Sequence, residues 1–165
     1  MPNGEHEHNI QPSILDRLLD DDDASGRPRH LLSDRFQSLS QLKQAVTRDL
    51  EALLNTRRES LTNVPVAYTE VQRSLLCYGL PDFTTLTLSS PEDRNRIRRV
   101  LEQAITLFEP RLDRVRVMLE DRREHNQTLR FRIEALLRVA PAPEAVTFDA
   151  MLQLSTQRYQ VQGPA

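Results

Sequence analysis

Apolar residues recur at helical spacing through most of this chain, and in its last third they alternate with polar ones. From Ser38 to Asn55, the positions Leu39, Leu42, Val46, Leu50, Leu53 and Leu54 form one stripe, which predicts an amphipathic helix. Tyr68 to Tyr78 predicts a second helix with Val71, Leu75 and Tyr78 inward, capped by Gly79 and stopped by Pro81. Ser90-Pro91-Glu92-Asp93 reads as a third helix start: a capping hydroxyl, proline in the first turn, and acids at the positive end of the helix dipole. Its inner face is Ile97, Val100, Leu101, Ala104, Ile105 and Phe108. Near the start, Ser13 to Leu19 sets Ile14, Leu15, Leu18 and Leu19 at the same spacing, and the acids Asp20 to Asp23 with Gly26 and Pro28 end that pattern. The expectation is a flexible segment over 1–30 carrying a short amphipathic helix, and one domain over 31–165. Such a short helix needs a surface to dock on, in its own domain or on another protein.

After Pro110 the period becomes two. Val115, Val117 and Leu119 alternate with Arg114, Arg116 and Glu120. Leu129, Phe131, Ile133, Ala135 and Leu137 alternate with Arg130, Arg132, Glu134 and Arg138. A third run sets Val146, Phe148, Ala150, Leu152 and Leu154 against Thr147, Asp149, Met151, Gln153 and Ser155. Half-buried antiparallel strands with one wet face have this pattern. The predicted fold class is α+β: N-terminal helices followed by a C-terminal three-stranded antiparallel meander packed on them. Cross-strand Arg and Glu residues offset one another on the wet face. The third run is expected to leave an open edge, a place for strand addition by a partner.

Glu109-Pro110-Arg111 sits where the period changes. Proline stops the helix and pushes Glu109 away from helical dihedrals. In an extended chain, residues two apart point to the same side, so Glu109 and Arg111 would emerge together roughly 6.5 to 7 Å apart. Two readings stand: the charges satisfy neighbours in the same domain, or they form a stiff, pre-ordered contact for a partner.

Composition narrows the function classes. At 165 residues the chain holds one domain with a sizeable core, and a net charge of -2 gives no global attraction to nucleic acid or anionic membrane. No apolar run approaches the roughly 20 residues of a membrane span, and MPNGEHEHNIQP does not resemble a secretion signal. A cytoplasmic protein without direct membrane insertion is expected. Cys77 is the lone cysteine and reads as a buried thiol. Twenty-one arginines face a single lysine, Lys43; genomic base composition accounts for such a bias, and protein interfaces also favour the planar guanidinium. His6 and His8 lack companion ligands, the aspartate run misses calcium-loop spacing, and no glycine-rich phosphate loop is present, so no metal or cofactor is expected. Arg94, Arg96, Arg98 and Arg99 belong to a helix that starts with acids, which favours a solvated face or protein contact over RNA.

LEALLNTRR at Leu50 to Arg58, YGLPD at Tyr78 to Asp82 and FEPRL at Phe108 to Leu112, in that order before a terminal meander, resemble the TssE family of type VI secretion baseplate subunits. That family is similar to the GPW-type wedge proteins of contractile phage tails, and the resemblance covers roughly Leu31 to Val161. It implies a structural role in a baseplate docked at the inner membrane, with TssF, TssG and TssK as wedge partners and the sheath subunits TssB and TssC beyond them. The family's Glu-Pro-Arg motif falls on Glu109, Pro110 and Arg111, implied to serve wedge assembly. The strand Val146, Phe148, Ala150, Leu152 and Leu154 is implied to meet the sheath. Phage relatives have also been labelled lysozymes, so a peptidoglycan-cleaving glycosidase is the alternative. Its two carboxyls at a set separation are not evident, because only Glu7 has an aspartate nine positions on, Asp16, and position 22 is Asp rather than Thr. A guanidinium at Arg111 also favours the charged form of Glu109, opposite to what an acid catalyst needs.

Overall fold

Helix α1, Leu39–Asn55, forms where the apolar stripe predicts it, and Leu42, Ala45, Val46, Leu50, Leu53 and Leu54 are its buried face. This is a computed structural model, which describes residues 39–59, 68–83, 86–87, 90–120, 128–153, 156 and 158–164. The amphipathic segment predicted at Ser13 to Leu19, and Leu154 in the third run, lie outside the described residues. No described helix is long and apolar enough to cross a membrane.

The second predicted helix forms only in part. Helix α2 spans Thr69–Gln72, and a separate 3-10 turn follows at Leu75–Cys77. Between them Ser74 is extended (φ -82°, ψ 167°), and its hydroxyl bonds the Val71 carbonyl at 2.7 Å. That local bond competes with helix continuation and resets the phase. Leu75, expected inward, is 87% exposed; Leu76 is 64% exposed, and Cys77 turns into the core instead. Tyr78 packs against the core as expected.

Helix α3, Pro91–Phe108, starts as its sequence dictates. Ser90 accepts from the Asp93 N–H at 3.3 Å, and the Asp93 carboxylate accepts from the Thr87 N–H at 2.8 Å. Ile97, Leu101, Ala104 and Ile105 are buried, with Val100 and Phe108 partly so. In the arginine group, Arg98 pairs with Glu102 one turn on at 2.9 Å and Arg94 donates to the Glu120 carbonyl.

The sheet corrects the sequence reading. It has four antiparallel strands in the order β1-β2-β3-β4: β1 Leu112–Leu119, β2 Thr128–Leu137, β3 Glu144–Gln153 and β4 Arg158–Gln162. The third run is therefore interior, paired with β2 along its length and with β4 over Asp149 to Gln153. Alternation is otherwise as read: Leu129, Phe131, Ile133, Ala135 and Leu137 of β2 and Val146, Phe148, Ala150 and Leu152 of β3 all face the core. Each large side chain fully buried there contributes about 1.5–3 kcal/mol. On the wet face Arg132 stands opposite Asp149 and bonds it at 2.9 Å, the cross-strand offset expected of mixed charges. Strand β1 carries a bulge between Asp113 and Arg116, with Arg114 at φ 51° stabilised by the Asp113 carboxylate on its N–H.

Strand β4 adds Tyr159 and Val161 to the core, and the Tyr159 ring meets Phe131 edge-on at 6.1 Å. Burial pushes the Tyr159 phenol up to about 12. The unfolded chain loses that proton near pH 10 while the folded chain still holds it, so the phenol's contribution is complete below pH 10 and disappears as pH rises to about 12. Urea unfolding between pH 9 and 12 should show stability falling, by about 2–3 kcal/mol from this group alone. Tyr159→Phe should flatten that part of the decline. An unchanged slope in the variant would contradict the buried phenol.

Candidate functional site

The helix-to-sheet junction is a tight turn. Glu109, at φ -119° and ψ 80°, still donates to the Ile105 carbonyl, and its own carbonyl accepts from the Leu112 N–H at 3.1 Å. Pro110 stands exposed at the apex, where a fixed φ and a missing N–H cost nothing. The expectation that Glu109 and Arg111 share a direction holds, but through this turn and not through an extended strand. They also meet each other. Glu109 Oε1 accepts from the Arg111 N–H at 3.1 Å and from Nε at 2.7 Å, while Oε2 accepts from Nη2.

The same Nη2 reaches Asp49 Oδ2 on α1 at 2.6 Å, and the other Asp49 oxygen accepts from Arg48 at 2.8 Å. Glu109 is only 4% exposed, a burial that an isolated carboxylate does not tolerate. The Arg111 fork answers it by occupying both oxygens in a bidentate pair. Burial by itself weakens the guanidinium's hold on its proton, but the bonds and charge of Glu109, then of Asp49, outweigh it and raise its pKa. The Arg111 side chain remains about a quarter exposed (24%).

Tyr78 closes the cluster. Its ring packs edge-on against Phe108 at 5.2 Å, and its phenol is raised by burial first and then by the charges of Asp49 and Glu109. Beside it the chain leaving α1 runs parallel to YGLPD in one bridge, Arg57 to Leu80: the Leu80 N–H bonds the Thr56 carbonyl at 2.8 Å, and the Arg58 N–H bonds the Leu80 carbonyl at 2.7 Å. LEALLNTRR, YGLPD and FEPRL, distant in sequence, therefore meet in one place. Asp49 was not among the sequence-derived candidates, although it left a signal. It sits three residues after Val46 and four before Leu53, an acid on the margin of the apolar stripe.

The arrangement holds elements together and leaves little for chemistry. Glu109 is buried under an arginine, without the access that a sugar-cleaving acid requires. Among the described residues no group of His, Cys, Asp and Glu is placed to hold a metal ion. His6 and His8 lie outside the described residues.

The strand singled out for an external contact is placed differently. Val146, Phe148, Ala150 and Leu152 lie on the buried face of interior β3, so the outer border on that side of the sheet is β4. That border is guarded by α1. The Asn55 side chain donates to the Tyr159 carbonyl at 2.9 Å and accepts from the Tyr159 N–H at 2.9 Å, and Glu51 accepts from the Val161 N–H at 3.2 Å. On the opposite border, Glu102 of α3 accepts from the Val117 N–H at 2.9 Å.

Comparison with curated proteins finds no match. A chain from a solved structure described as the baseplate complex from the type VI secretion system is similar at 20% identity, with a TM-score of 0.47, over 76% of this chain and 96% of that chain. The family model described as baseplate wedge protein gp25 matches residues 40–142, which takes in α1, the YGLPD bridge, the Glu-Pro-Arg turn and the first two strands. With well over half of its length so matched, the chain belongs to the GPW_gp25 family of baseplate wedge proteins.

Proposed function

We propose that this chain is the TssE-type subunit of a type VI secretion baseplate, a non-enzymatic part that binds TssF, TssG and TssK and meets the sheath subunits TssB and TssC at the border of its sheet. The observation that carries this reading is the meeting of three motifs beside one ion-paired turn, in which the buried carboxylate is consumed by structure while Pro110 and part of the Arg111 side chain stay exposed. Family membership supports the baseplate, and the resemblance of the three motifs to the TssE family supports the secretion system. In this reading Glu109 holds Arg111, and Pro110 with the outer edge of Arg111 touches a wedge partner. The chain works in the cytoplasm, in a baseplate docked at the inner membrane.

Pro110→Ala and Arg111→Lys test the contact, because the first alters only an exposed residue and the second keeps the charge while losing the fork. With folding confirmed by circular dichroism, recovery of TssF and TssG on the purified chain should fall at least fivefold in one or both variants. Undiminished recovery with both would reject the assigned contact.

A further inference from the structure

Leu75 and Leu76 stand next to each other on the surface, 87% and 64% exposed, in the 3-10 turn that leads into YGLPD. The turn itself is held. The Cys77 N–H bonds the Ser74 carbonyl at 3.0 Å, the Tyr78 N–H bonds the Leu75 carbonyl at 3.2 Å, and Cys77 is anchored in the core. The two leucine side chains therefore project from a fixed backbone, and Tyr68 at the start of α2 is exposed as well. Among the described residues the other exposed large apolar side chain is Met118, which lies on the wet face of the sheet opposite Arg132. Scattered apolar side chains on a surface are ordinary, but an adjacent pair on a held turn marks a contact.

The size of the patch selects its occupant. Two leucines and a tyrosine cover far less than the roughly 1,000 Å² that a specific interface between separate molecules needs, which disfavours a second copy or a free protein. A segment already joined to the chain needs much less, because a tether presents it at about millimolar effective concentration. The chain carries such a segment. Ile14, Leu15, Leu18 and Leu19 form an apolar stripe at helical spacing, and so short a helix persists only when that stripe is docked. The described residues begin at Leu39, and residues 20–38 join Leu19 to them. Extended, that connection spans up to roughly 60 Å, more than the roughly 40 Å diameter of a domain of this size.

We propose that segment 13–19, which lies outside the described residues, docks on Leu75 and Leu76 of its own chain and covers them with its apolar stripe. The extended Ser74 then has a consequence beyond its local bond: it turns Cys77 into the core and leaves both leucines for the segment. The docking does not depend on which assembly the domain joins.

The chain contains no tryptophan, so Leu18→Trp in the full chain supplies a single fluorescent reporter. Its indole should be quenched by acrylamide at least twofold less than in Leu18→Trp/Leu75→Ser/Leu76→Ser, with folding confirmed by circular dichroism. Leu75→Ser alone should open the reporter in the same direction, which keeps the proposal open to refutation if the double replacement unfolds. Ile14→Ser/Leu15→Ser beside the reporter alters no described residue and should also open it. Protection should stay constant over a hundredfold range of protein concentration, because the tether is intramolecular. An indole as open to acrylamide with Leu75 and Leu76 present as without them would overturn the docking. So would an indole that stays protected after they are replaced, which would put the segment elsewhere, and protection that appears only at high concentration, which would assign the contact to a second copy.

Discussion

Arg111→Ala should lower the unfolding free energy by about 3–5 kcal/mol, because it strands a buried carboxylate. Glu109 is 4% exposed and loses every partner of both oxygens save the residue 111 N–H, while Asp49 loses the bond that joins α1 to the junction 62 residues away. Urea unfolding checks this directly, with an unchanged m-value required for a two-state comparison. Arg111→Met should not recover the loss, since the length of the side chain is not what the carboxylates need. Replacing Asp49, Glu109 and Arg111 together by apolar residues of similar volume should recover most of it, because the desolvation cost vanishes along with the attraction. A loss below about 1 kcal/mol for Arg111→Ala, as an exposed ion pair would give, would show that the cluster is open to water.

That expectation bears on why the cluster exists. A buried ion pair is a poor source of stability compared with apolar packing, but its geometry is specific. Here it joins α1, the end of α3 and the start of β1 through one guanidinium, and the Arg111 carbonyl accepts from the Arg138 N–H at the end of β2. The exposed proline at the apex therefore projects from a turn whose position relative to both long helices and the sheet is fixed. A contact presented this way loses little conformational entropy when a partner binds.

Long elements with one buried face were legible in the sequence. α1, α3 and the strands β1 to β3 bury one stripe or alternate residues, and burial alone writes that pattern. Strand β4 escaped because five residues with only Tyr159 and Val161 apolar carry too little period to be separated from a polar tail. Leu75 faces outward against its helical spacing because an extended Ser74 and a 3-10 turn break the 3.6-residue phase, a choice made by the local hydroxyl bond and not by hydrophobicity. At the site, Glu109-Pro110-Arg111 was visible as a sharp change of period, but its partner Asp49 is brought in by the packing of α1 on the sheet. The two borders tell the same story. Glu51, Asn55 and Glu102 look like ordinary solvated helix residues, and only the tertiary fold sets them against strand N–H groups.

Gly79→Ala should cost roughly 3 kcal/mol or more, and its neighbours explain why. Gly79 has φ +99°, a conformation in which a side chain adds about 1–3 kcal/mol of strain before any contact is counted. An added Cβ would then lie 2.4 Å from the Thr56 carbonyl oxygen and 2.9 Å from its carbon, both backbone atoms. That carbonyl has no room to yield, since it accepts from the Leu80 N–H at 2.8 Å while the Thr56 N–H is tied back to Ala52 at 3.0 Å. Relief would have to come from the bridge between Arg57 and Leu80, and Leu80 is anchored in the core at 3% exposure. Moving it would also displace Tyr78 from the edge of Phe108, so a loss of aromatic circular dichroism should accompany the loss of stability. Gly163→Ala is the control: its Cβ meets the Thr47 hydroxyl, whose rotation gives up one 2.8 Å bond to the Lys43 carbonyl and no backbone contact, and the change should cost about 1 kcal/mol. Equal losses in the two variants would mean that the YGLPD bridge is not clamped between α1 and the Glu-Pro-Arg turn, and the three motifs would then have no mechanical reason to occur together.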